Sequence, residues 1–185
     1  MYRPLQLASL VLITLTISFT PPQDFEWKSD VEKMLSEFLS CGGPTPPNTP
    51  CNTFLSQALK RVYNINDFDR AGGGFLTANE MADYVKIHTD KWTELGDASS
   101  QQALKEAQGY ANIRKAVIAI QQNPDGHGHV VLIVPGILQK SGSWNLDCPN
   151  SASFFLNQPA KSYVSRHLGF AFAKPTGVKI YGRNF

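Results

Sequence analysis

Ala116-Val117-Ile118-Ala119-Ile120, Asn123-Pro124-Asp125-Gly126 and His129-Val130-Val131-Leu132-Ile133-Val134 read as two apolar strands joined through a tight turn. Strands this close in sequence, with so short a connection, are expected to pair antiparallel. Weaker strand candidates follow at Ser143 to Asp147, Ser153 to Leu156 and Val178 to Tyr181. Upstream of residue 116 the apolar residues recur at helical spacing instead, so helices come first and a mostly antiparallel sheet second. That order predicts an α+β fold.

The helical half divides into four segments. Ser29-Asp30-Val31-Glu32 has the pattern of a capping box, and Val31, Met34, Leu35, Phe38 and Leu39 continue it on one face as far as Cys41-Gly42-Gly43. Residues 42–50 carry four prolines and read as a stiff loop. A second helix is expected from there, with Thr49 as cap and Pro50 in the first turn; Cys51, Phe54, Leu55, Ala58 and Leu59 fall on its apolar face. After the Ala71-Gly72-Gly73-Gly74 break, Thr77-Ala78-Asn79-Glu80 is another capping box and leads into Met81, Tyr84 and Val85. A shorter helix is expected over Ser100 to Gln108.

Composition fits a single domain. The chain has 185 residues, 42% hydrophobic and 17% charged, with a net charge of +2, enough apolar material for a real core and too little charge for a disordered chain. The basic residues are spread along the chain, so nucleic acid is not the expected partner. Arg3 precedes the uncharged run Leu5 to Phe19, which ends at Thr20-Pro21-Pro22. That run falls short of the roughly 20 apolar residues of a membrane span and reads as an export signal over residues 1–22. One domain over residues 23–185 follows.

Three cysteines, Cys41, Cys51 and Cys148, leave at least one thiol unpaired within the chain. Cys41 and Cys148 lie in irregular segments, and a bridge between them is expected. Cys51 has a different prospect. A thiol in the first turn of a helix meets unpaired backbone N–H groups and the positive end of the helix dipole, which favour the thiolate. His129, at the head of an apolar strand, could take the thiol proton and return it to a leaving amine. His127 competes from the preceding turn, and His127-Gly128-His129 could also contribute to a zinc site, although no second pair at ligand spacing accompanies it. His88 and His167 read as surface imidazoles, and Trp144, Phe154 and Phe155 as core residues.

Pro50-Cys51-Asn52-Thr53-Phe54-Leu55-Ser56-Gln57-Ala58-Leu59 resembles the cysteine helix of NlpC-type cell-wall peptidases and the related CHAP amidases. Ala116 to Ile120 and Gly128-His129-Val130-Val131-Leu132-Ile133-Val134 are similar to their paired strands, and the likeness spans roughly residues 45 to 136. The resemblance implies a papain-like core with the cysteine helix packed on an antiparallel sheet, Cys51 as nucleophile, His129 as base and a polar residue of the next strand orienting the imidazole. Asn145, Asp147 and Asn150 are the candidates for that third position.

It further implies a secreted or periplasmic thiol hydrolase that cleaves an amide bond of peptidoglycan, as endopeptidase or amidase, through an acyl-enzyme. No cofactor is needed, the partner is peptidoglycan or a muropeptide, and an inhibitor or immunity protein is a further candidate partner. The alternatives are a noncatalytic envelope-binding protein on the same fold and a zinc-dependent hydrolase using His127 and His129.

Overall fold

The computed structural model describes residues 25–42, 53–155 and 158–184. Helix α1 (Phe25–Ser36) runs into a 3-10 helix, Glu37–Gly42, and is followed by α2 (Phe54–Tyr63) and α3 (Ala78–Ile87). Then come β1 (Trp92–Asp97), α4 (Gln101–Asn112), β2 (Val117–Gln121), β3 (His129–Ile133), β4 (Gln139–Ser141) and β5 (Leu146–Cys148). The last elements are β6 (Asn150–Ser153), β7 (Tyr163–His167) and β8 (Val178–Arg183). The fold is α+β, and its main sheet has six strands in the order β1-β8-β2-β3-β6-β7, every neighbour antiparallel.

β2 and β3 pair from Val117 with Ile133 to Gln121 with His129. Their runs are apolar on both faces because both faces are covered. Ile118, Ile120, Leu132 and Val134 join Ala152, Phe154 and Tyr181 on one face, packed against Val31, Leu35, Leu55, Leu59 and Met81 of α1 to α3. Val117, Ala119, Val131 and Ile133 point the other way, under Ala103, Leu104, Ala107 and Ala111 of α4 and against Trp144, Cys148, Leu168 and Phe172. Side chains that alternate along a strand thus build a three-layer body, in which each fully buried Leu or Ile contributes about 2 kcal/mol.

The helix ends follow local chemistry in part. At α3 the expected capping box is formed: the Thr77 side chain accepts from the Glu80 N–H while the Glu80 carboxylate accepts from the Thr77 N–H at 2.7 Å. At α1 it is not. The helix begins at Phe25, so Ser29 lies inside it rather than at its cap. The Ser100 hydroxyl caps α4, which continues to Asn112 rather than ending near Gln108. Two of the weaker strands are displaced from their expected places, to β5 and β6, because Pro149 separates them and Asn145 takes the left-handed conformation (φ 54°) in the turn between β4 and β5.

Asp67 ties the two ends of the sheet's outer pair to the helical layer. Its carboxylate, 6% exposed, accepts from Arg183 Nε at 2.6 Å and Trp92 Nε1 at 3.0 Å, with Lys91 Nζ at 3.5 Å. Trp92 is itself buried and stacked on Phe68, so it is a core residue. Asp67→Ala leaves the guanidinium and the indole N–H without their shared acceptor. A loss of about 3 kcal/mol in unfolding free energy is expected, measurable by urea denaturation, and a change below about 1 kcal/mol would show the cluster to be dispensable.

Candidate functional site

His129 opens β3, where the antiparallel ladder with Gln121 ends. It shares its face of the sheet with Val131 and Ile133. The imidazole is stacked on Phe155, ring centres 4.6 Å apart and planes at 16°, and Phe172 meets it edge-on at 5.4 Å. Its Nε2 lies 2.8 Å from Ser153 Oγ. Ser153 Oγ is its only hydrogen-bond partner among the described residues, so Nδ1 keeps its proton-transfer capacity. Burial between the two aromatic rings pushes the imidazole pKa down to about 4, so at neutral pH the ring is uncharged.

The chemistry of that pair depends on which partner donates. If Nε2–H donates to Ser153 Oγ, Nδ1 carries the lone pair and is the base; the opposite sense puts the proton on Nδ1. The first arrangement equips the ring for general-base work, and the serine then holds both tautomer and orientation.

Helix α2, whose first residue follows the candidate nucleophile by three positions, begins nearby. Phe54, the first residue of α2, stacks on Phe154 with ring centres 3.9 Å apart, and Phe38 of the 3-10 helix meets both rings edge-on. Phe154 is the chain neighbour of Phe155, the ring on which His129 rests. The start of α2 and His129 therefore lie at the same end of the sheet, with the apolar stripe of α2 on one face and the imidazole on the other. Cys51 itself, with Thr49, Pro50 and Asn52, lies outside the described residues, and so does the expected helix start at Cys51.

The third-position candidates are elsewhere. Asn145 sits exposed in the turn before β5, and Asp147 offers its backbone to Gln101, donating N–H to Oε1 and accepting from Nε2, both at 2.9 Å. Asn150 is 1% exposed and donates to Pro135 O at 2.9 Å and Ser165 Oγ at 3.1 Å. None of the three bonds to His129; the side chain hydrogen-bonded to the ring is that of Ser153. Ser153 lies on β6, the strand next to β3, and at the head of the strand expected over Ser153 to Leu156, but its sequence context does not single it out.

His127 is exposed in the loop before β3. His88 caps the end of α3 against the Tyr84 ring at 4.0 Å. His167 ends β7 beside Phe170, and its Nδ1 is buried without a hydrogen-bond partner among the described residues, so it is less solvated than its polar sequence context implies. Among the described residues no three His, Cys, Asp or Glu side chains gather as a metal site would require.

Cys148 is a free, buried thiol, so the expected bridge with Cys41 is not formed. The layers explain it. Cys148 is packed under α4, whereas the 3-10 helix carrying residue 41 places Phe38 on the opposite face of the sheet. Burial also raises the Cys148 pKa to about 11, which leaves it an inert thiol. An open groove of about 620 Å³ between the 3-10 helix and α2 is lined in part by Phe38, Lys60, Arg61 and Phe75, with no histidine or cysteine lining it among the described residues. No protein-family model matches this chain, and no curated protein matches it either.

Proposed function

We propose that the protein is an exported thiol hydrolase with a papain-like core, cleaving an amide bond of peptidoglycan. Cys51 is the nucleophile, His129 the base and Ser153 the residue that orients the imidazole. The observation that carries the proposal is the environment of His129: a neutral ring clamped between Phe155 and Phe172, with one nitrogen tied to Ser153 and the other without a partner among the described residues. Cys51 is three residues from Phe54, so covalent geometry keeps the two Cα atoms within about 11 Å. Phe54 stacks on Phe154, the chain neighbour of the ring beneath His129, and because α2 and the imidazole lie on opposite faces the proposed pair must meet around the end of the sheet.

In the reaction, His129 Nδ1 takes the Cys51 proton as the sulfur attacks the carbonyl carbon. Backbone N–H groups around the start of α2 hold the oxyanion. The imidazolium protonates the departing amine as the C–N bond breaks, leaving a thioester. Water, deprotonated by the same imidazole, then releases the acid and restores the thiol. Ser153 stays bonded to Nε2 throughout, so the ring turns over protons without turning over itself.

The direct test is mass spectrometry of purified muropeptides incubated with the protein and with Cys51→Ala. Products that differ from substrate by one water identify the bond; their absence with the unsubstituted protein would overturn the reading. The low pKa of His129 adds a second check. A base must be unprotonated, so activity falls only as the pH drops through its pKa. The acid limb of kcat/KM is therefore expected near pH 4 rather than at the ordinary histidine value of about 6.5.

A further inference from the structure

Helix α3 presents a polar stripe to the loop that delivers His129. Asn79, Asp83 and Lys86 recur at helical spacing on one side of it. Asn79 Nδ2 donates to Asn123 O at 2.8 Å and Gly126 O at 3.1 Å, while its Oδ1 accepts from the Asn123 N–H at 3.0 Å. One turn further on, Asp83 Oδ1 accepts from Gln122 Nε2 at 2.8 Å and Lys86 Nζ donates to Gln122 Oε1 at 2.6 Å. Gly128 closes the fit: a Cβ there would lie 2.5 Å from Asn79 Oδ1 and 2.8 Å from Gln121 O.

The loop needs such a grip. Residues 123–127 are exposed, and apart from the Gly126 N–H donating to Asn123 O at 3.1 Å it makes few bonds of its own. His129 forms the terminal rung of the β2–β3 ladder, where strands fray most readily. The start of α3 is, in contrast, locked by the Thr77–Glu80 capping box and by an ion pair of Glu80 with Arg70. Asn79 sits in that locked first turn.

We propose that Asn79 is a positioning residue for His129, fixing the 123–128 loop against α3 so that the imidazole keeps its place on Phe155 and Ser153. The inference rests on the hydrolase reading for its consequence in catalysis, but its structural part stands separately. The lowered pKa of His129 supplies an independent readout, because it arises from burial and no charged side chain among the described residues bonds to the ring.

The experiment uses the full chain and three variants: Asn79→Ala removes the three bonds, Gly128→Ala wedges the loop away from Asn79, and Asn79→Asp keeps the acceptor for the Asn123 N–H alone. His129 is followed by NMR titration of its ring protons, with His127→Gln to fix the assignment, and turnover is followed on purified muropeptides. In Asn79→Ala and Gly128→Ala the His129 midpoint is expected to rise by about one pH unit or more as water reaches the ring. The kcat is expected to fall about tenfold or more with KM changed less than about twofold, and Asn79→Asp should lie between. An unchanged midpoint and an unchanged kcat in Asn79→Ala would overturn the proposal, leaving Asn79 a brace of the turn only. A shifted midpoint in a protein that hydrolyses no muropeptide would support the positioning and overturn the hydrolase reading alone.

Discussion

Cys51→Ala is expected to lower muropeptide hydrolysis by about 10⁴-fold or more, because removing the attacking atom removes the covalent route and leaves only binding and oxyanion stabilisation. Alanine is an excellent helix former and loses no buried polar group, so the far-ultraviolet circular dichroism and thermal midpoint should stay within a few degrees of the parent. Cys148 serves as the internal control. It is buried with a raised pKa, so a thiol reagent at neutral pH should label the parent chain at Cys51 well ahead of Cys148. Residual hydrolysis within about tenfold of the parent would dismiss Cys51 as nucleophile.

His129→Ala is expected to reduce kcat/KM by about 10³-fold, within the usual range for a lost general acid–base. It also opens a space between Phe155 and Phe172 and leaves Ser153 Oγ without its partner, which is expected to cost about 1 to 2 kcal/mol of stability. His129→Gln fills most of that space and keeps a hydrogen-bonding group toward Ser153, yet cannot shuttle a proton. Loss of activity in both variants, with stability kept in the second, separates chemistry from packing. His127→Ala, at an exposed loop position, should change kcat/KM less than about threefold. The reverse ranking of the two histidines would move the base to the loop.

The central pair of strands was legible because both faces of β2 and β3 are buried, which makes their sequences near-continuous apolar runs. β1 and β7 were not, for a physical reason. They lie at the two edges of the sheet, and Trp92-Thr93-Glu94-Leu95-Gly96-Asp97 and Tyr163-Val164-Ser165-Arg166-His167 mix polar and apolar residues without clean alternation. Each also carries a register shift, at Gly96 (φ 135°) in one and beside Ser165 (φ 71°) in the other.

His129 stood out in sequence because a histidine heading an apolar strand is conspicuous; its partner did not, since a serine among Ser151, Ser153 and Ser162 carries no mark until register is known. Carboxylates and amides drew attention to Asn145, Asp147 and Asn150, but Asn150 is occupied by the backbone of Pro135 and by the Gln108 side chain, which accepts its N–H at 2.7 Å. The Asn79 contact was equally hidden, because it spans 44 residues between a helix start and a loop.

β8 follows every other strand in sequence yet lies inside the sheet, between β1 and β2. β1 has no other neighbour in that sheet, so until residues 178–183 are available the strand has nothing to pair with, and Arg183 cannot reach Asp67. β2, β3, β6 and β7 pair without β8, but β1 must wait for it, and contacts of such long sequence separation form slowly. Such a delay leaves β1 unpaired through most of elongation, the condition in which an exposed strand is most in need of a chaperone.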